Sequence, residues 1–131
     1  MENTHIKIGV VNEPSKTIGY LLKNDPQIEF FKTSKNPLIM KTEIKNHNPD
    51  LLIWSFPTFQ SNHIDIVCNL KESFPNLRIL VLANEFSRAL IPDILVSCID
   101  GVLTRSKVEQ YLTRAIEQIY HGIFTMFIDD V

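Results

Sequence analysis

Ser55 closes the continuously apolar run Leu51-Leu52-Ile53-Trp54, which Pro49-Asp50 precedes and Phe56-Pro57 follows. Such a run reads as a strand covered on both faces. In open α/β sheets, ligands and chemistry sit at the carboxyl ends of the strands, so Ser55 is the first position at which to look for an active group. To attack a carbonyl, its hydroxyl would need a histidine base and an orienting carboxylate. No Ser-His-Asp or Cys-His arrangement can be placed at this site. As a target for a Ser/Thr kinase it is too enclosed to bind in extended form. The sequence holds no G-x-G-x-x-G or Walker loop, and four glycines leave little room for a phosphate cradle. Two charged residues end neighbouring apolar runs, Glu13 after the first and Arg105 after the last. Either they pair and fill the pocket, since a guanidinium fork can meet a carboxylate with two hydrogen bonds, or Arg105 anchors some other anion.

The elements that must position these residues follow from periodicity. Apolar runs at 6–11, 28–31, 51–56, 79–83 and 101–103 read as strands. Helical patterns lie between and after them, at 15–24, 38–48, 62–74, 86–98 and 106–121. Asp25-Pro26, Asn48-Pro49 and Pro75-Asn76 stop the first three. The last is the clearest. Ser106 and Glu109 form a capping box, Val108, Leu112, Ala115, Ile116 and Ile119 form an apolar stripe, and Gly122 marks the end. Alternation of strand and helix with right-handed crossovers predicts an α/β fold, a doubly wound parallel sheet. For five strands the expected arrangement is flavodoxin-like, (βα)5 with strand order 2-1-3-4-5.

Composition narrows the function. The 131 residues suit one domain, and a net charge of −2 gives no electrostatic footprint for nucleic acid. The expectation is that this chain alone binds neither nucleic acid nor a membrane: no apolar run is long enough to span a bilayer, and the first residues lack the pattern of a signal peptide. A cytoplasmic location follows by default. Cys68 and Cys98 are isolated in sequence and are expected to be reduced, mostly buried thiols. The four histidines are scattered without ligand spacing, so no metal and no cofactor is expected.

The whole chain resembles the receiver domains of bacterial response regulators, the CheY-like fold, and within them the NarL/LuxR type. Four segments carry the likeness in order and spacing: Pro49 through Ser55, Arg78 through Ala83, Asp100 through Ser106, and Ala115 through Gly122. The resemblance implies a site built from an acidic pair holding Mg²⁺, a strand-three aspartate that takes a phosphoryl group, a strand-four hydroxyl and a strand-five lysine. This chain departs at nearly every one of these positions, and one carboxylate of the acidic pair is lost. The acidic pair is Asn12-Glu13, the acceptor is Ser55, the hydroxyl is replaced by Ala83 and the lysine by Arg105. The switch aromatic falls at Val102. A serine forms no acyl phosphate, so these are degenerate phosphorylation-site positions, and no catalytic residue and no enzyme activity are expected.

If chemistry is gone, contacts must carry the function. Residues 89–99 are too apolar for one helix face to absorb. They form either a deeply covered helix unwound around Pro92, or a partner surface with Leu90, Ile91, Ile94 and Leu95 at its centre. The receiver-like domain is placed at 1–122. The apolar tail, 123–131, either leads toward a linker and a helix-turn-helix output domain absent from this chain, or packs on the domain or on a second copy, or lies as a short strand or coil on the surface. The leading expectation is a pseudo-receiver of a transcription regulator, acting as a dimerisation module, with a homodimer, an output domain and a regulatory protein as partners. The alternatives are a stand-alone adaptor that binds a kinase or regulator, and a small-ligand sensor.

Overall fold

A computed structural model describes residues 5–129. The first four residues, and Asp130 and Val131 of the tail, lie outside the described residues. Six parallel strands form one sheet in the order β2-β1-β3-β4-β5-β6. They are β1 (Ile6–Val11), β2 (Ile28–Thr33), β3 (Leu51–Phe59), β4 (Arg78–Phe86), β5 (Gly101–Thr104) and β6 (Thr125–Phe127). The helices are α1 (Lys16–Lys23), α2 (Pro37–His47), α3 (Ser61–Ser73), α4 (Ile91–Leu95) and α5 (Val108–Tyr120). The fold is thus the doubly wound α/β sheet with the expected order 2-1-3-4-5, extended by a sixth strand. Among the described residues no helix is long and apolar enough to cross a membrane.

Side-chain alternation along the strands feeds two cores. Ile8, Val10, Leu51, Ile53, Leu80, Leu82 and Leu103 face α1 and α5. Val11, Leu52, Trp54, Ile79, Val81 and Val102 face α2, α3 and α4. β3 and β4 run past their neighbours. The β1–β3 ladder ends at Val11 opposite Trp54, whereas β3 continues against β4 to Phe59 opposite Phe86. Pro57 sits in this overhang, where β1 no longer needs its missing N–H.

The sixth strand reads as tail in the sequence because three residues carry no period. Its cause is spatial. α5 returns the chain beside β5, and Met126 registers with Val102. Thr125 Oγ1 donates to Gln118 Oε1 at 2.9 Å, and Phe127 stacks on Tyr111 with centroids 4.3 Å apart. Gly101 permits this approach. A Cβ there would lie 2.5 Å from Ile119 Cδ1 and 3.1 Å from Thr125 O. The tail also changes the start of α5. Ser106 is not its N-cap: the helix begins at Val108 after a 3₁₀ turn, Arg105–Lys107. The Ser106 hydroxyl donates instead to Asp129 Oδ1.

Two further expectations are corrected. The cysteines are not separate thiols. Cys68 of α3 and Cys98, just before β5, are joined in a disulfide with Cα atoms 5.7 Å apart. Their separation of 30 residues hides a juxtaposition that only the packing of α3 on the α4–β5 segment creates. The expected helix at 86–98 is shorter, because β4 takes Phe86 and a 3₁₀ turn, Arg88–Leu90, leads into α4. Pro92 lies in the first turn of α4, where its absent N–H costs nothing.

Candidate functional site

Alternation decides which residues meet at the carboxyl ends of the strands. Ser55 follows Ile53 by two residues, so it shares the α1/α5 face of the sheet. On β4 the same-face positions are Leu82 and then Asn84, and past β5 the position after Leu103 is Arg105. Past β1 it is Asn12, in the left-handed region at φ 55°, a conformation asparagine tolerates. Asn12, Ser55, Asn84 and Arg105 accordingly line one cavity of about 250 Å³, with Pro14, Phe56 and Pro57.

Arg105 organises the site. Its Nη1 and Nη2 donate to Glu13 Oε2 and Oε1 at 3.1 and 2.8 Å, and its Nε donates to Asn84 Oδ1 at 2.6 Å. Glu13 Oε1 also accepts from the Ser15 backbone N–H at 3.3 Å. The Glu13 side chain is 3% exposed, so its carboxylate depends on these donors in place of water. Of the two sequence alternatives for Arg105, the ion pair with Glu13 forms.

Ser55 lines the same cavity as Arg105 and Asn84. It is 3% exposed, and its Oγ has no hydrogen-bond partner among the described residues. An unmet buried hydroxyl costs about 1–3 kcal/mol. The position thus carries a cost that packing alone does not explain.

Ala83 does not join the site. It faces the α2/α3/α4 core and is fully buried there, one residue out of phase with Ser55. Of the strand end Ala83-Asn84 expected at the pocket, it is Asn84, in phase with Leu82, that contributes. Val102 is fully buried between Val81 of β4 and Met126 of β6. Of the expected interface residues, Ile94 is corrected: it is 0% exposed and belongs to the core. Leu90 and Ile91 are half-buried, and Leu95 is exposed. Val96, in the same apolar stretch, is the most exposed of its large apolar residues at 86%.

The residues present do not fit Mg²⁺. A hard cation needs several oxygen ligands, anionic ones above all. The single carboxylate here is held bidentate by a guanidinium, and Ser55 offers a buried neutral hydroxyl. Among the described residues no group of three His, Cys, Asp or Glu side chains could hold a metal.

A second feature borders the site. His63, in the first turn of α3, lies against Phe56 and Phe59, at 4.6 and 5.6 Å between ring centroids. Its Nδ1 accepts from the Gln60 backbone N–H at 3.0 Å. Burial holds its pKa below the ordinary 6.5, so the ring is kept neutral and can accept.

Solved structures share this architecture. The isolated receiver domain of RcsB from Salmonella enterica serovar Typhimurium, with a beryllofluoride phosphomimetic, matches at TM-score 0.78 and 16% identity over 94% of each chain. The chain has the receiver-domain fold. A LuxR-family two-component response regulator from Aurantimonas sp. SI85-9A1 matches at TM-score 0.76 and 20% identity, over 93% of this chain and 89% of that one. A structure of two RcsB dimers bound to two parallel DNAs matches at TM-score 0.76 and 16% identity, over 94% of this chain and 64% of the RcsB chain. No protein-family model and no curated protein sequence matches the chain.

Proposed function

We propose that this chain is a receiver-like signalling and dimerisation domain of a bacterial transcriptional response regulator, working without phosphorylation in the cytoplasm. It would govern a DNA-binding output domain that is not part of this chain. The observation that carries the reading is the Glu13–Arg105–Asn84 network beside the buried Ser55, on the cavity that Ser55, Asn84 and Arg105 line. Where a phosphoacceptor domain needs a free carboxylate and a vacant cation, this site has a neutral hydroxyl and a neutralised guanidinium. With no phosphoryl group to shift it, the balance between conformations would be set by sequence or by a partner.

Backbone NMR with Mg²⁺ and beryllofluoride tests this reading. No saturable shift is expected at Ser55 or Arg105, and intact mass after acetyl phosphate treatment should be unchanged. Saturable shifts there, or a stable phosphoryl adduct, would overturn it. Analytical ultracentrifugation tests the dimer. The Cys68–Cys98 bridge runs against a reducing compartment. Thiol titration of protein taken from cytoplasm under alkylating quench settles which state occurs there.

A second reading, small-ligand sensing at the same site, is favoured by the cavity of about 250 Å³ and the unmet Ser55 hydroxyl. A thermal-shift screen with anionic metabolites separates the two, since a flat screen removes it.

A further inference from the structure

On the opposite face of the sheet, a cleft of about 260 Å³ opens between α2 and α3. Its apolar lining comes from Trp54, Met40, Ile66 and Leu70, and two cations, Lys35 and Lys41, stand beside it. We propose that this cleft binds a small apolar carboxylate, an aryl- or alkyl-alkanoic acid, with its body on Trp54 and its carboxylate between Lys35 and Lys41.

Three observations converge on that chemistry. First, Trp54 lines the cleft while only 6% exposed, so it offers a broad apolar wall backed by the core. Its ring is held by stacking on Phe56, with centroids 5.5 Å apart, so it is a rigid wall rather than a mobile side chain. Second, neither Lys35 nor Lys41 makes an ion pair with a described residue. Two unpaired ammonium groups beside an apolar hollow complement an anion with an apolar body. Third, Ile66 lines the cleft while 45% exposed, so the occupant has apolar surface to cover. The volume falls just below the range of roughly 300–1,000 Å³ usual for small-molecule sites, which selects a compact ligand. The dominance of carbon in the lining selects an organic acid over inorganic phosphate.

Trp54 is the chain's single tryptophan, so selective excitation reports on the cleft alone. Hydrocinnamate is the probe, with hydrocinnamyl alcohol and inorganic phosphate as its uncharged and body-less counterparts. Hydrocinnamate should change Trp54 emission saturably, and the alcohol and phosphate should each bind about tenfold more weakly or worse. The double variant Lys35→Gln/Lys41→Gln changes only exposed side chains. It should keep the wild-type melting temperature and weaken hydrocinnamate about tenfold. NMR shifts should map to α2 and α3. A response linear in concentration, equal binding of the alcohol, unchanged affinity in the double variant, or shifts centred on Ser55 and Arg105 would each overturn the proposal.

Discussion

The two faces of the sheet are built on different principles. On one, α5 sends Val108, Leu112, Ala115, Ile116 and Ile119 into the core, and α1 adds Ile18 and Leu22. Both helices are strongly amphipathic, and that face is closed mainly by burial. On the other, α2 leaves Leu38 and Ile39 exposed, α3 leaves Ile66, and the short α4 leaves Leu95 and Val96. This face is tied by specific links. Cys68 is bonded to Cys98, and Lys71 Nζ reaches Asp100 Oδ2 at 2.7 Å and Cys98 O at 2.9 Å. Asp100 Oδ2 also accepts from the Ile79 N–H at 2.8 Å, which fixes the start of β4 to the start of β5. A face closed by periodicity leaves its helices little apolar surface for a partner, Tyr20 of α1 being the large side chain it exposes. A face held by cross-links can leave apolar surface open and still stay folded.

The contrast can be broken at its strongest point. Ile116→Ala on the closed face should cost about 3–4 kcal/mol in urea unfolding, through lost burial and an unfilled cavity, while Ile66→Ala on the open face should stay within about 0.5 kcal/mol. Equal losses would erase the distinction. Next in size is the disulfide. Its partners are 30 residues apart, and the loop-closure estimate gives about 3.6 kcal/mol lost in Cys68→Ser or under full reduction. Hydrogen exchange should rise in α3 and α4 and remain unchanged in α5.

At the strand ends, Arg105→Met strands the Glu13 carboxylate and should cost about 2 kcal/mol. Adding Glu13→Gln should return about half of that, a coupling that a double-mutant cycle reads directly. The smallest effect is at His63. Burial lowers its folded pKa, so above pH 6.5 both folded and unfolded forms are neutral and its contribution is complete. As pH falls below 6.5 the unfolded chain takes the proton first, and stability declines until the folded pKa is reached. His63→Gln should flatten that part of the stability–pH curve.

Much of this could be read from residue order. The bounds of β1, the stripe of α5 and the stops at Asp25-Pro26 and Asn48-Pro49 are local signals, and the structure keeps them. The Glu13–Arg105 pair was open to inference because strand ends converge and a guanidinium matches a carboxylate. Other features depend on neighbours that sequence does not show. Pro57 and Glu85 look like loop, yet they lie in strands, because the β3–β4 ladder outlasts its flanking strands. Ala83 drew attention by family position, while strand parity places Asn84 at the site. The disulfide, the loss of Ser106 as a cap and the strand in the tail all follow from residues meeting across the fold.

The strand order carries a consequence for the chain as it leaves the ribosome. β2 completes a pair with β1, β3 adds to the free side of β1, and β4, β5 and β6 each dock on the strand made just before. Assembly therefore never waits for a strand not yet synthesised, and one growing side stays uncovered throughout. The hazard is greatest when β4 has emerged alone, because Ile79 to Ala83 present an unbroken apolar ribbon to any other nascent chain. The three residues of β6 end that exposure: they take the last place in the row and leave only a short, weakly templating strand at the boundary.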